Sequence, residues 1–206
     1  MSKCGHNPDN TLVVVQAWPT GHVNPFLWDW LRAIVGPRGA IATLNLPVDH
    51  ATSINYSLEL LAKSDAEYGI FCESDIVPTS KTQPFLESEA SLVACKYHQD
   101  GGEAAWREPW MFHGGLWGVE RKVLATLPYP RCDYLRTPDG ARWTGCPCEF
   151  LARRFKDAGI VVAHAGWCEH PLDNPRRCRI ITEDEPANAN PVGTGEGTDG
   201  RDDSTR

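Results

Sequence analysis

The run LVVVQAW at residues 12–18 is too continuous for a strand with one wet face and too short for a buried helix, so it reads as a strand covered on both sides. The segments beyond it alternate in type. Asn24 and Pro25 supply an N-cap and a first-turn proline; Leu27, Leu31 and Ile34 recur at helical spacing, and Gly36 with Pro37 ends the helix. IATLNLPV (41–48) is a second strand, followed by a helix opened by Thr52 or Ser53 with Ile54, Leu58 and Leu61 on one face. EYGIFCE closes a third strand, QPFLESEA (83–90) is a short helix, and SLVACKYH (91–98) is another strand. WMFHGGLWGV (110–119) reads as a strand interrupted by Gly114 and Gly115, before the helix ERKVLATL (120–127). CEFLARRFKDAG (148–159) is a helix stopped by Gly159, and IVVAHAG is the last strand.

Strands alternating with helices in this order predict a single α/β domain over residues 1–182, with a mostly parallel central sheet flanked by helices. Residues 183–206 differ in kind: rich in Gly, Pro and Asp, with almost nothing to bury, they read as a disordered acidic tail. Seven acidic residues and two arginines fall in that tail, so most of the formal charge of −7 belongs to it. The near-neutral body neither predicts nor excludes a phosphate-bearing partner. No segment approaches the roughly 18 consecutive apolar residues of a membrane helix, and MSKCGHNPDN lacks the apolar core of a secretory signal, so no membrane span and a cytoplasmic location are expected.

The chemistry concentrates at GIFCESDIVPTS, residues 69–80, where the third strand ends at Glu73 and Asp75. In open α/β sheets ligands gather at the carboxyl ends of strands. Residues two apart on an extended chain point the same way, and their mutual repulsion is relieved by a cation between them. Carboxylate oxygens with coordination positions left for phosphates suit Mg²⁺ or Mn²⁺; the bland alternative is a solvated acidic loop.

EYGIFCESDIVP resembles the metal-binding segment of GT-A glycosyltransferases of the family 2-like, nucleotide-sugar type, in which an apolar strand ends in Asp-x-Asp; here the first acid is Glu73. NYSLELLAKSDAEY is similar to the family's preceding helix, FHGGLWGVERKVLATLPYP to its acceptor-side segment, and CEFLARRFKDAGIVVAHAGWCEHP to its closing helix and strand. The resemblance covers roughly residues 12–171. It implies a metal-dependent transfer from a nucleoside-diphosphate sugar, UDP-linked by expectation, to an acceptor hydroxyl. Glu73, Asp75 and His170 would hold the ion, Asp49 and Asn55 would contact the nucleotide, and Glu149 would be the general base of an inverting reaction. The family commonly has a second acid before that base, where this chain has Cys148, and the Arg-Trp element of processive members is absent, which favours single transfers.

Trp106, His113, Gly114 and Trp143 are the candidates for acceptor contact, the tryptophans because their flat faces stack on a sugar or a base. The acceptor stays open among lipid head groups, proteins, saccharides and a hydroxymethylpyrimidine in phage DNA, the last requiring the base to leave the stack. Basic residues such as Arg107, Arg121, Arg131, Arg153 and Arg154 concentrate beyond the acidic motif. Of eight cysteines, Cys72 and Cys95 sit in apolar strands as small hydrophobes, whereas Cys132, Cys146, Cys148 and Cys168 fall in polar surroundings where a structural zinc and ordinary thiols are both open readings. Two other functions fit parts of the pattern: a nucleotidyltransferase on a related α/β fold, although WPTGHVNP lacks the usual phosphate-loop cations, and a non-catalytic zinc-stabilised binding module.

Overall fold

A computed structural model describes residues 6–17, 21–99, 102–103, 108–136 and 143–170. Its strands are β1 (Thr11–Gln16), β2 (Ala40–Leu44), β3 (Tyr68–Glu73), β4 (Val77–Pro78), β5 (Leu92–Gln99), β6 (Gly102–Glu103), β7 (Leu116–Glu120), β8 (Leu135–Arg136), β9 (Trp143–Gly145) and β10 (Ala163–Glu169). The helices are α1 (Pro25–Ile34), α2 (His50–Lys63), α3 (Gln83–Glu87), α4 (Arg121–Leu124) and α5 (Pro147–Asp157). The expected acidic tail and Trp106 lie outside the described residues, as does the side chain of Trp143 on β9.

The main sheet runs β2-β1-β3-β7-β5-β10-β4, with β6 attached to β5; β8 and β9 form a separate ribbon. All of β1 is buried, as its unbroken apolar run requires: Val13 and Val15 enter one core layer and Val14 the other. One layer packs Leu27 and Leu31 of α1 with Phe85 of α3; the opposite layer packs Leu58 of α2 with Leu151 and Phe155 of α5. In that second layer Phe71 and Trp117 stack with ring centroids 4.5 Å apart, and Phe112 lies 5.4 Å from Trp117.

The mostly parallel sheet is corrected to a mixed one. β1 pairs parallel with β2 and β3, and β5 parallel with β10, but β7 runs antiparallel to both β3 and β5, and β4 antiparallel to β10. A parallel neighbour needs a crossover of a dozen or more residues, usually helical, and the described residues between Gln99 and Leu116 contain no helix. The chain leaving β5 therefore returns along the sheet in the opposite sense. The glycine-aromatic segment also divides: only Leu116–Glu120 is strand, while Gly114 and Gly115 form a turn.

Local signals hold closely at α1, where the Asn24 side chain accepts from Phe26 N at 2.9 Å and Pro25 takes the first turn. α2 starts earlier than Thr52: Asp49 is its N-cap. No helix among the described residues is long and apolar enough to cross a membrane.

Candidate metal centre

β3 delivers Glu73 to the rim of the sheet, in register with Gln16 at the end of β1. The chain then turns, with Ile76 N donating to Glu73 O at 3.4 Å, so Asp75 lies in a turn rather than on an extended strand. Two neighbours fix this turn: Glu73 N donates to Gly115 O at 2.9 Å, and Ser74 N to Gln16 O at 3.1 Å. The two carboxylates converge because the turn folds them together, not through strand alternation.

The third group arrives from the far end of the sequence. β4 pairs with the end of β10, Val77 opposite Glu169 and Pro78 opposite Cys168, which brings Asp75 and His170 to the same corner. β10 reaches it by a register shift between His164 and Trp167, where Gly166 adopts φ +76 and a side chain would meet Thr82 O at 3.0 Å. Thr82 Oγ1 then donates to Trp167 O at 2.6 Å, anchoring the last turn of chain before His170. The His170 ring also packs 5.3 Å from the Tyr97 ring, which stands 5.7 Å from the His113 ring.

At the centre, His170 Nε2 lies 3.0 Å from Glu73 Oε2 and 3.8 Å from Asp75 Oδ1. Glu73, Asp75 and His170 each offer one ligand atom, all within 4.8 Å of one another, and they are the one such group of three among the described residues. Glu73 and His170 side chains are only 14% and 15% exposed, so the Glu73 carboxylate sits where Coulomb interactions are poorly screened. Two carboxylates and an imidazole at these distances are a donor set that could hold a divalent cation.

His50, which sequence reasoning does not single out, also reaches this centre: its Nε2 is 3.8 Å from Glu73 Oε1. Its signal is its place directly after the Asp49 helix cap that succeeds the second strand, at the same sheet edge as Glu73. Gly114 is drawn in too, since a side chain there would meet Cys148 Sγ at 3.1 Å and Glu73 Oε1 at 3.9 Å. Gly114 thus sits between Glu73 and Cys148, which lies in the first turn of α5. Glu149 stands on that turn, 12% exposed, with Oε1 accepting from Arg153 Nη2 at 2.8 Å.

Asp49 and Asn55 carry other bonds. The Asp49 carboxylate accepts from Thr52 N at 3.0 Å and Thr52 Oγ1 at 2.6 Å. Partial burial opposes its ionisation, but these hydrogen bonds together hold its carboxyl below the usual value. Asn55 clamps a distant segment: Nδ2 donates to Cys132 O at 2.7 Å and to Ala51 O at 3.1 Å, while Oδ1 accepts from Cys132 N at 3.0 Å.

The four thiols considered for zinc are divided. Cys168 lies in the α1 layer with Cys72 and Cys95, whereas Cys132 lies in the α5 layer, because strand alternation commits β10's cysteine to the face opposite α5. Cys132 Sγ donates to Pro147 O at 3.3 Å, and Cys146 Sγ caps α5 by accepting from Glu149 N at 3.4 Å. Burial pushes the Cys72 thiol far up, in keeping with a small hydrophobe.

No family model and no curated protein matches the sequence. Among solved structures, the crystal structure of A197 from STIV is similar, with a TM-score of 0.55 and 15% identity over 80% of this chain and 86% of that one. A likeness at that identity bears on fold alone, and it supports a single α/β domain.

Proposed function

We propose that the chain is a divalent-metal-dependent glycosyltransferase of GT-A-like fold, acting on a nucleoside-diphosphate sugar. The observation that carries the reading is the convergence of Glu73, Asp75 and His170 at the carboxyl ends of β3 and β10. An imidazole in the donor set favours Mn²⁺ over Mg²⁺, which prefers oxygen ligands and retains its waters. A divalent ion bound there supplies charge neutralisation for a diphosphate leaving group. The protein's own part is to hold the two acids against each other: the turn bonds to Gly115 and Gln16 fix their backbone, and His50 and His170 flank Glu73.

Glu149 is the base in this reading, taking the proton of the acceptor hydroxyl. Its place next to Cys148, whose Sγ lies against Gly114, supports the role, and its Oε1 is paired with Arg153 at 2.8 Å. The arginines beyond the motif argue less for a polyanionic acceptor than their number suggests. Arg131 binds Glu59, Arg153 binds Glu149, and Arg121 donates to Ser64 O.

The test is calorimetric titration of UDP- and GDP-sugars into the full chain with Mn²⁺, with Mg²⁺, or with chelator. Binding that needs the metal is expected. Metal-independent binding, or none with any nucleotide sugar, overturns the reading.

A further inference from the structure

A cleft of about 660 Å³ opens between the outer face of α2 and residues 129–134. That volume lies in the range of small-ligand sites. Its far wall is built, not incidental. Asn55 bonds both backbone groups of Cys132, and the Tyr134 phenol takes hydrogen bonds from the His50 and Ala51 backbone at the start of α2. Burial, then the Asp49 charge, pushes the Tyr134 phenol up, so it stays a neutral hydroxyl.

The lining has a particular chemistry. Tyr56 and Tyr129, 51% and 73% exposed, present large aromatic surfaces to the opening. Of the ionic groups between them, Lys63 is paired with Glu59 at 3.1 Å, and Glu59 also with Arg131 at 3.0 Å, while Asp49 and Asp133 carry, among the described residues, only hydrogen bonds, from Thr52 and from Tyr134 N. A phosphate would find the cleft's cations committed, and a purely apolar ligand would leave its carboxylates dehydrated. Carboxylate oxygens accept from hydroxyls, and tyrosine rings cover the C–H faces of a pyranose. The match is to a neutral, polyhydroxylated molecule with flat apolar faces.

The cleft also has a direction. Its lining runs along α2 from Lys63 through Tyr56 to the N-cap Asp49, the residue before His50, about 10 Å of axis from Tyr56. His50 is the residue that approaches Glu73, at 3.8 Å. The geometry points to this cleft as a saccharide-binding site that takes a chain of two or more sugar units along α2, with its end directed at the Glu73–Asp75–His170 centre. Resting on the transferase reading above, it makes the acceptor a saccharide.

The experiment is saturation-transfer NMR on the full chain with methyl glucoside, cellobiose, maltose, N-acetylchitobiose and their trisaccharides. At least one disaccharide should bind, more tightly than the monosaccharide. Tyr129→Ala and Tyr56→Ala should each weaken it about tenfold. Both side chains are exposed, so thermal melting should show both variants folded. Chelator and Asp75→Asn should leave saccharide binding unchanged while removing nucleotide binding. Saccharide binding with no metal-dependent nucleotide binding keeps the cleft and discards the transferase reading; the converse discards the cleft. Binding indifferent to both tyrosine variants, or displacement of the sugar by hydroxymethylated DNA at the same residues, also overturns the proposal.

Discussion

His170 Nε2 lies 3.0 Å from Glu73 Oε2 across 97 residues of sequence. The pair joins the end of β10 to the end of β3, strands separated in the sheet by β7 and β5. An imidazole and a carboxylate this close, with Asp75 Oδ1 at 3.8 Å from the same nitrogen, stand within reach of a single shared cation.

Asp75→Asn relieves carboxylate repulsion and removes a charged ligand, so it separates stability from binding. Without metal the variant should melt at or above the wild-type temperature. With Mn²⁺ at a hundredfold excess over its dissociation constant, the wild type should gain about 5–10 °C and the variant almost nothing. Equal shifts in both proteins, read by calorimetry, would remove Asp75 from the centre.

Glu149→Gln keeps the shape of the side chain and its place beside Arg153. Donor binding should be preserved and turnover should fall about 10²–10⁴-fold once an acceptor is found. A variant with full turnover places the base elsewhere.

Gly114 is tightly packed on its α5 side. Gly114→Val drives a methyl-bearing carbon toward Cys148 Sγ, 3.1 Å from the ideal Cβ position, and toward Glu73. It should cost about 1–3 kcal/mol of stability and weaken Mn²⁺ binding measured by titration. Unaltered metal affinity would show that Glu73 does not feel this turn.

Asn55→Ala discriminates between two roles. As the clamp on Cys132, its loss leaves backbone groups unsatisfied and should cost about 1–3 kcal/mol in urea unfolding, with nucleotide affinity little changed. A variant of wild-type stability that fails to bind nucleotide would restore the nucleotide-contact role.

Acid should destabilise the fold before carboxylates titrate. Desolvation lowers the pKa of both His6 and His164, against smaller opposing hydrogen bonds to Ile34 and Pro109. The unfolded chain then binds more protons than the native one as pH falls through the ordinary histidine range near 6.5, so stability present above that range is lost below it. His164→Asn should flatten the slope of stability against pH between about 7 and 5. An unchanged slope assigns it to other groups.

Much of the α/β frame is legible in the sequence because its signals are local. Leu27, Leu31 and Ile34 share a face whatever they pack against, and Asn24 caps the helix that begins beside it. Strand direction is not local, since LWGVE carries the same pattern in either sense, and β7 runs backward with no crossover helix among the described residues before it. The same limit divides the site. Glu73 and Asp75 announce themselves by adjacency, and His170 by resemblance. His50 enters because the start of α2 and the end of β3 meet at one edge. The clamp made by Asn55 is invisible in the sequence because its partner, Cys132, is 77 residues away.

The turn-anchored tip of β10 has a consequence for biosynthesis. Translation proceeds from the amino terminus, so both acids of the centre emerge long before the imidazole that completes it. A nascent chain carrying only the earlier strands offers an incomplete coordination shell. An ion held by all three groups would therefore wait for the last strand to dock, and metal retention during synthesis would report on closure of the whole sheet rather than on the acidic loop.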